Sequence, residues 1–303
     1  GISPASAQYT ADLSGSPGQG TSLPVTVDSN TGTGTTNLDE QNAQGLFSGS
    51  GTISMPSIPG VNAYKVEMPA DTLSNAQGTG TLTMSTGAGN ITIPENMLSS
   101  IPDTEGKKAA ISIGQGDNVG LTEEEKAAVG TRPIIQLVLT LDGEPTRWNN
   151  PDAHVTVAIP YIPTAEELAN PENIVIYYLD GSGELVCIPN GRYNPVTGAV
   201  TFSTTHFSLF AVGYNAVSFN DVAEDAWYNK AVAFIAVRKI TSGTGGGNFS
   251  PTNKLTRSEF VVMLMRAYSI DPDENPSNNF ADAGNVYYTN YLAAAKRLGI
   301  SAG

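Results

Sequence analysis

The chain has 303 residues, 40% hydrophobic and 15% charged, with a single cysteine and a formal charge of −14. That length allows two or three domains, and a lone Cys187 excludes an internal disulfide framework. No apolar run reaches the 18 or so residues a membrane helix needs, and the acidic balance excludes nucleic acid as a partner.

The charge is unevenly placed. Residues 1–215 hold 21 acidic against 7 basic side chains, and residues 216–303 hold 8 against 8. The second stretch therefore carries most of the cations, as an anion-binding segment on an acidic protein would. No secretion leader is visible. Gly1 and Ser301-Ala-Gly303 read as cut ends, so the expectation is an internal piece of a larger secreted protein.

Residues 1–60 are rich in Gly, Ser, Thr, Asn and Pro. Leu23–Val27 and Thr52–Met55 alternate as edge strands would. Ser29–Thr36 offers no core former and is expected as a loop. The segment is expected as a strand appendage or linker rather than a domain.

Residues 61–215 predict a β-sandwich. Alternating or apolar runs recur at Tyr64–Met68, Thr81–Met84, Ile91–Ile93, Ala110–Ile113, Ile134–Leu141, His154–Ile159, Ile174–Tyr178, Leu185–Ile188, Ala199–Phe202 and Phe207–Val212. Asp142-Gly143, Asp180-Gly181, Asn190-Gly191 and Thr197-Gly198 supply turns between them. Two short helices interrupt the strands. Thr122 with acids behind it opens one, and Thr164 with Glu167 at capping-box spacing opens the other. Glu123, Glu124, Glu125, Glu166 and Glu167 are expected on solvated helix starts, which argues against a catalytic carboxylate pair. Cys187 lies in an apolar run and is expected as a core residue.

Residues 216–303 change character. Phe219-Asn-Asp-Val222, Trp227-Tyr228 and an apolar helical run lead to Gly243-Thr-Gly-Gly-Gly247, and Leu255-Thr-Arg-Ser-Glu-Phe260 opens a second helix. The pattern restarts at Phe280-Ala-Asp282. Asp221 precedes Trp227 by six positions and Asp282 precedes Tyr288 by six, a recurrence that signals a helical array. Thr256 and Glu259 have capping-box spacing. Arg257 then falls in the first turn, where the helix dipole disfavours a cation. An anionic ligand that uses both the helix end and the guanidinium fork would explain it. The bland alternative is an ion pair with Glu259 or Asp221. Trp227 can be a sugar-stacking platform or a core anchor. Asp221 can accept from backbone or from ligand hydroxyls, and Gly243 permits a tight loop. No metal site is expected, since His154 and His206 are far apart in sequence and Cys187 is apolar-set. Asp271-Pro-Asp273-Glu274 lacks a full calcium-loop pattern and reads as a linker. No cofactor is expected.

These elements of 216–303 resemble the S-layer homology family, which holds bacterial surface proteins on the cell wall. The resemblance covers one repeat over 216–272 and the first half of another over 273–303. It implies an all-α repeat region, an extracellular location at the cell wall or S-layer, and binding of an anionic, pyruvylated secondary cell-wall polysaccharide linked to peptidoglycan. Arg257 would contact that glycan, with Thr256, Glu259, Asp221, Trp227 and Gly243 around it, and other surface proteins would be further partners. The β-rich segment, through Gly89–Pro94, Val155–Pro160, Ile174–Tyr178 and Thr205-His-Phe-Ser208, resembles the ZU-five β-sandwich and its bacterial relatives. Some members of that superfamily cut themselves between Phe and Ser, which would make Ser208 the nucleophile on the Phe207 carbonyl and His206 its base. The expected role is a non-catalytic anchor with a β spacer or display module. The alternatives are self-processing at Phe207-Ser208 and a carbohydrate-binding or carbohydrate-active module.

Overall fold

The computed structural model describes residues 8–15 and 20–303. Of the segment 1–60, residues 1–7 and 16–19 lie outside it. Two compact units result. The first holds the described residues up to Ile162 with Tyr177–Leu185 and Asn194–Val212, and the second holds Pro163–Ile176, Val186–Tyr193 and Gly213–Gly303.

The first unit is built of strands. In chain order they are β1 (Tyr9–Ser14), β2 (Thr21–Asp28), β3 (Thr33–Asn37), β4 (Ser50–Ser54), β5 (Ala63–Pro69), β6 (Thr81–Thr86), β7 (Gly89–Pro94), β8 (Lys108–Gln115), β9 (Ile134–Leu141), β10 (Glu144–Thr146), β11 (Val155–Pro160), β12 (Ile174–Leu179), β13 (Val186–Cys187), β14 (Arg192–Asn194), β15 (Ala199–Thr204) and β16 (Leu209–Tyr214). The residues of β12, β14 and β16 are shared between the units, and β13 belongs to the second. Within the first unit neighbours run β16-β9-β8-β5-β3-β2-β1-β4-β6-β7-β11-β15, with β10 on β9. The path folds back on itself as a sandwich does. Phe202 of β15 and Phe210 of β16 meet at 4.8 Å, although they sit near opposite ends of the strand order. A Cβ on Gly89 of β7 would lie 3.1 Å from Ile113 of β8.

Period-two patterning puts Ile135, Leu137, Leu139 and Leu141 of β9 inside. Trp148 is 1% exposed and donates its indole N–H to the Met97 carbonyl at 2.7 Å, so its one polar atom is satisfied in the core.

The segment 1–60 is no appendage. β1 to β4 lie in the middle of the strand order, β3 pairs in parallel with β5, and β4 with β6. A boundary at residue 60 would cut through both pairings. Nor is Ser29–Thr36 a loop throughout. Thr33–Asn37 forms β3, and Thr36 is fully buried with its hydroxyl donating to Pro24 O at 3.3 Å. β-Branched threonines suit a pleated surface without being apolar, and Gly34 leaves room for Val25.

Three helices punctuate the β region: α1 (Glu40–Phe47), α2 (Glu123–Val129) and α3 (Ala165–Ala169). The expected capping box forms at Thr164–Glu167, and the Thr122 cap closes as a box too, with Glu125. Glu125 and Glu167 are nevertheless buried, not solvated, because closing each box folds the carboxylate back over the helix end. α1 was not anticipated.

The second unit carries α4 (Asn229–Val237), α5 (Arg257–Ala267) and α6 (Thr289–Arg297). α5 packs on α6 through Met265, Ala294 and Ala295, flanked by Val261, Ile270 and Tyr291. No helix among the described residues is long and apolar enough to cross a membrane.

Candidate functional site

The glycine loop is fixed first. Asp221 accepts the N–H groups of Phe249 at 2.8 Å and Ser250 at 2.7 Å. These bonds, Phe249's foremost, hold its carboxyl below the usual carboxylate range. Asn220 N–H donates to Gly247 O at 2.8 Å, and the Phe219 and Phe249 rings stand 5.6 Å apart. Gly243 has φ +77°, and a Cβ there would come within 2.4 Å of Asn248 O. Only glycine fits. Both oxygens of Asp221 are thus spent on the loop.

The loop delivers the chain to α5, whose N-terminus is closed on itself. Thr256 Oγ1 accepts from Glu259 N–H at 3.2 Å, and Glu259 Oε2 accepts from the Thr256 N–H and hydroxyl at 2.8 Å each. The Thr256 backbone bond is the main reason the Glu259 carboxyl titrates below its ordinary value. With Glu259 and Asp221 so engaged, neither forms a salt bridge with Arg257. Arg257 is exposed, and its Nη2 donates to Gly303 O at 3.1 Å.

Gly303 is the counterpart of Gly243 one repeat later. Tyr228 is the N-cap of α4 and Tyr288 that of α6. After each helix the chain turns through positive φ, at Lys239 (+56°) and at Gly299 (+70°), and Ile240 and Ile300 then donate back to Ile235 O and Ala295 O. This alignment corrects the equal spacing in the sequence. The counterpart of Trp227 is Tyr287, and the second approach to the helix is one residue shorter. Trp227–Tyr228 and Tyr287–Tyr288 form matching edge-on pairs at 5.4 and 5.2 Å. Trp227 is 92% exposed, so it is no core anchor.

A cleft of about 620 Å³ lies between the glycine loop and α5. Glu259 and Gly243 line it, together with Lys254, Arg266 and Tyr287, none of which the sequence reading had selected. Arg257, Thr256, Asp221 and Trp227 do not line it. The expected site residues therefore divide into a capped helix end bearing Arg257, a loop clasp at Asp221, an exposed ring at Trp227, and the two that reach the cleft.

Arg238, the C-cap of α4, is 2% exposed. Its guanidinium makes five hydrogen bonds, all to carbonyls: two to Gly191 and one each to Glu172, Ile174 and Phe234. It also stacks 3.5 Å over the Phe234 ring. Burial pulls its pKa down to about 10, which leaves it charged near neutrality. Segments 163–176 and 186–193 thereby join the helices in one unit. Burial likewise pushes the Cys187 thiol up to about 11, which makes it an inert thiol. Asp273 pairs with Arg297 at 2.8 Å.

The residues expected for self-cleavage are not assembled for it. The His206 ring packs against Tyr178 at 4.8 Å and Phe210 at 5.7 Å, and burial lowers its pKa. The Ser208 hydroxyl donates to Leu179 O at 3.5 Å. Among the described residues no hydrogen bond joins His206 and Ser208. None of them forms a group of three or more His, Cys, Asp and Glu that could hold a metal.

Residues 218–261 match the family described as the S-layer homology domain. The chain therefore carries an S-layer homology domain behind a β-rich region, and its place is the cell surface. Curated relatives include an amylopullulanase of Thermoanaerobacterium thermosulfurigenes, 30% identical over 44% of this chain and 7% of that protein. A surface-layer 125 kDa protein of Lysinibacillus sphaericus is 35% identical over 38% of this chain and 10% of its own length. The exoglucanase XynX of Acetivibrio thermocellus is 32% identical over 29% and 8%. The chain thus spans a tenth or less of each of these three, and the amylopullulanase match, at 44% of this chain, is longer than residues 216–303. No solved structure matches the chain.

Proposed function

We propose that this chain is a non-catalytic anchoring piece whose helical unit binds an acidic polysaccharide of the cell wall, with the β region as spacer or display module. The observation that carries this is Arg257. Its charge stands exposed at a helix end where the dipole opposes it, and both carboxylates that could have neutralised it are occupied elsewhere. A carboxylated sugar there would gain the guanidinium fork. Trp227, almost fully exposed, offers a stacking face for a pyranose ring. Asp221 supports the loop and does not contact the glycan. The relatives bearing this module are surface-layer proteins in some cases and polysaccharide-degrading enzymes in others, which is what a transferable anchor would look like.

Retention on purified Gram-positive sacculi tests the reading, before and after the non-peptidoglycan polymer is stripped away. The unsubstituted chain is expected to sediment with intact sacculi and to stay in solution with stripped ones. Arg257→Ala should cut retention about tenfold, the scale of one charge-assisted pair. Equal retention of both proteins on intact sacculi would end this role for Arg257.

A further inference from the structure

Another cleft, of about 530 Å³, opens in the first unit beside the end of α1. That volume is within the range of small-ligand pockets. Phe47 and Ser48 bring the end of α1 to its wall. Asp71 and Asn75 come from the turn after β5, Gly80 from the approach to β6, and Glu95 from the end of β7.

The wall at Gly80 is closely packed. A Cβ there would collide with Phe47 O and lie 3.3 Å from Glu95 Oε1. Gly80 N–H donates to that same oxygen at 2.9 Å. The Glu95 carboxylate is therefore pinned beside Gly80 and the α1 terminus, by a backbone bond.

Every charged side chain that lines this cleft is acidic. Glu95 and Asp71 have no ion-pair partner among the described residues, and Asp71 Oδ2 accepts one bond, from Gly106 N–H at 3.4 Å. α1 adds the negative end of its dipole, with no basic residue in its last turn. Residues 1–215, with 21 acidic against 7 basic side chains, extend the same sign of field around it. Asn75 and Thr79 are exposed on the lining, and among the described residues their side chains make no hydrogen bond.

These groups select a cation, and the cleft's volume decides which kind. A calcium ion needs about six to eight oxygens converging on it. Among the described residues no group of three or more His, Cys, Asp and Glu gathers for a metal. An organic cation fills the space.

We propose that this cleft binds a small ligand bearing a primary ammonium, which pairs with Glu95 while its neutral polar groups meet Asn75 and Thr79. A basic peptide side chain and an amino sugar share that chemistry. The site lies in the β region, so it does not rest on Arg257, and it gives that region a ligand of the opposite charge.

The test is calorimetric titration of the whole chain, near neutral pH, with glucosamine and with Nα-acetyl-lysine amide. Their amine-acetylated forms, which lack the cation, are the controls. At least one amine is expected to bind at a single site, with its acetylated form about tenfold weaker, the scale of one charge-assisted pair. Affinity should fall as salt is raised. Glu95→Gln keeps an acceptor for Gly80 N–H and removes the charge, so binding should weaken about tenfold. Thr79→Lys tethers a competing ammonium at an exposed position and should abolish binding. Should Glu95→Gln fail to fold, Thr79→Lys decides alone. Binding of glucosamine only identifies an amino sugar, binding of the lysine amide only a basic peptide, and either supports the cleft. Equal affinity for an amine and its acetylated form overturns it, as does wild-type affinity in Thr79→Lys or no binding of either amine. A loss in Arg257→Ala as large as that in Thr79→Lys overturns it too, by placing the amine on the helical unit.

Discussion

The two helical repeats follow one backbone recipe and use it differently. α4 and α6 start from the same edge-on aromatic pair, end in the same left-handed turn and close with the same isoleucine bond. Their side chains diverge at the C-cap. Arg238 is buried under five hydrogen bonds, while its counterpart Leu298 is 47% exposed. The motif fixes where the chain goes. The neighbours fix what each position is worth. α4 has segments 163–176 and 186–193 of the β region packed in its unit, whereas α6 packs on α5.

The sharpest break in this comparison comes from removing Arg238. Arg238→Met keeps an unbranched chain but strands the carbonyls of Gly191, Glu172 and Ile174, each of which costs on the order of 1–3 kcal/mol to bury unpaired. Denaturant unfolding should show a loss of about 3 kcal/mol or more for the second unit, with the midpoint shifted and little change in slope. Leu298→Ala, the matching substitution in the second repeat, should cost under about 1 kcal/mol, because surface changes are usually small. Equal losses at the two positions would mean that the buried guanidinium contributes nothing specific.

Much of this was legible in advance, and the misses have physical reasons. The runs at Tyr64–Met68 and Ile134–Leu141 became β5 and β9 because alternation reports a half-buried strand directly. Thr122, Thr164 and Thr256 became N-caps because a capping box is a local interaction, complete within four residues. β3 escaped because Thr33–Asn37 has no apolar residue, and its burial depends on partners distant in sequence. α1 had readable signs: Asp39 as cap, Glu40 in the first turn, and Ala43, Leu46 and Phe47 at helical spacing. Gly45 obscured them. Within the site, Arg257 was found because its position contradicts the helix dipole. Arg238 and Arg266 sit in or next to the last turn of their helices, where a cation is expected, so nothing local sets them apart. Only tertiary structure shows one wrapped in carbonyls and the other facing a cleft.

A second contrast lies in the aspartates. Asp221 holds two loop amides, while Asp282 accepts no hydrogen bond among the described residues. Because the folded Asp221 carboxyl titrates below its ordinary value, its contribution is complete above the unfolded carboxylate range near pH 4 and is lost as pH falls through the lower, folded value. Hydrogen exchange at the Phe249 and Ser250 amides, compared at pH values above and below that range after correction for intrinsic rates, should show protection falling on the acid side. Asp221→Asn should weaken protection at neutral pH, and Asp282→Asn should change nothing. Protection that is independent of pH in the wild type would assign the loop's order to its glycines alone.

The smallest expected effect isolates the backbone from the neighbours. Lys239 and Gly299 occupy the same left-handed position, at φ +56° and +70°. A side chain there brings Cβ against the following carbonyl, at a cost of roughly 1–2 kcal/mol for an L-residue, partly offset because glycine is freer in the unfolded chain. Lys239→Gly should therefore stabilise the unit by about 0.5–1 kcal/mol, and Gly299→Ala should destabilise it by a similar amount. Lys239 has further interactions of its own, so the two changes need not be mirror images, and Lys239→Ala separates the terms. If the left-handed turn sets the outcome, Lys239→Ala resembles the wild type and only glycine gains. If the lysine's contacts set it, Lys239→Ala and Lys239→Gly both lose stability. The second result would extend the rule seen at Arg238 by one residue, making the neighbours of α4 decisive even where the motif asks for glycine.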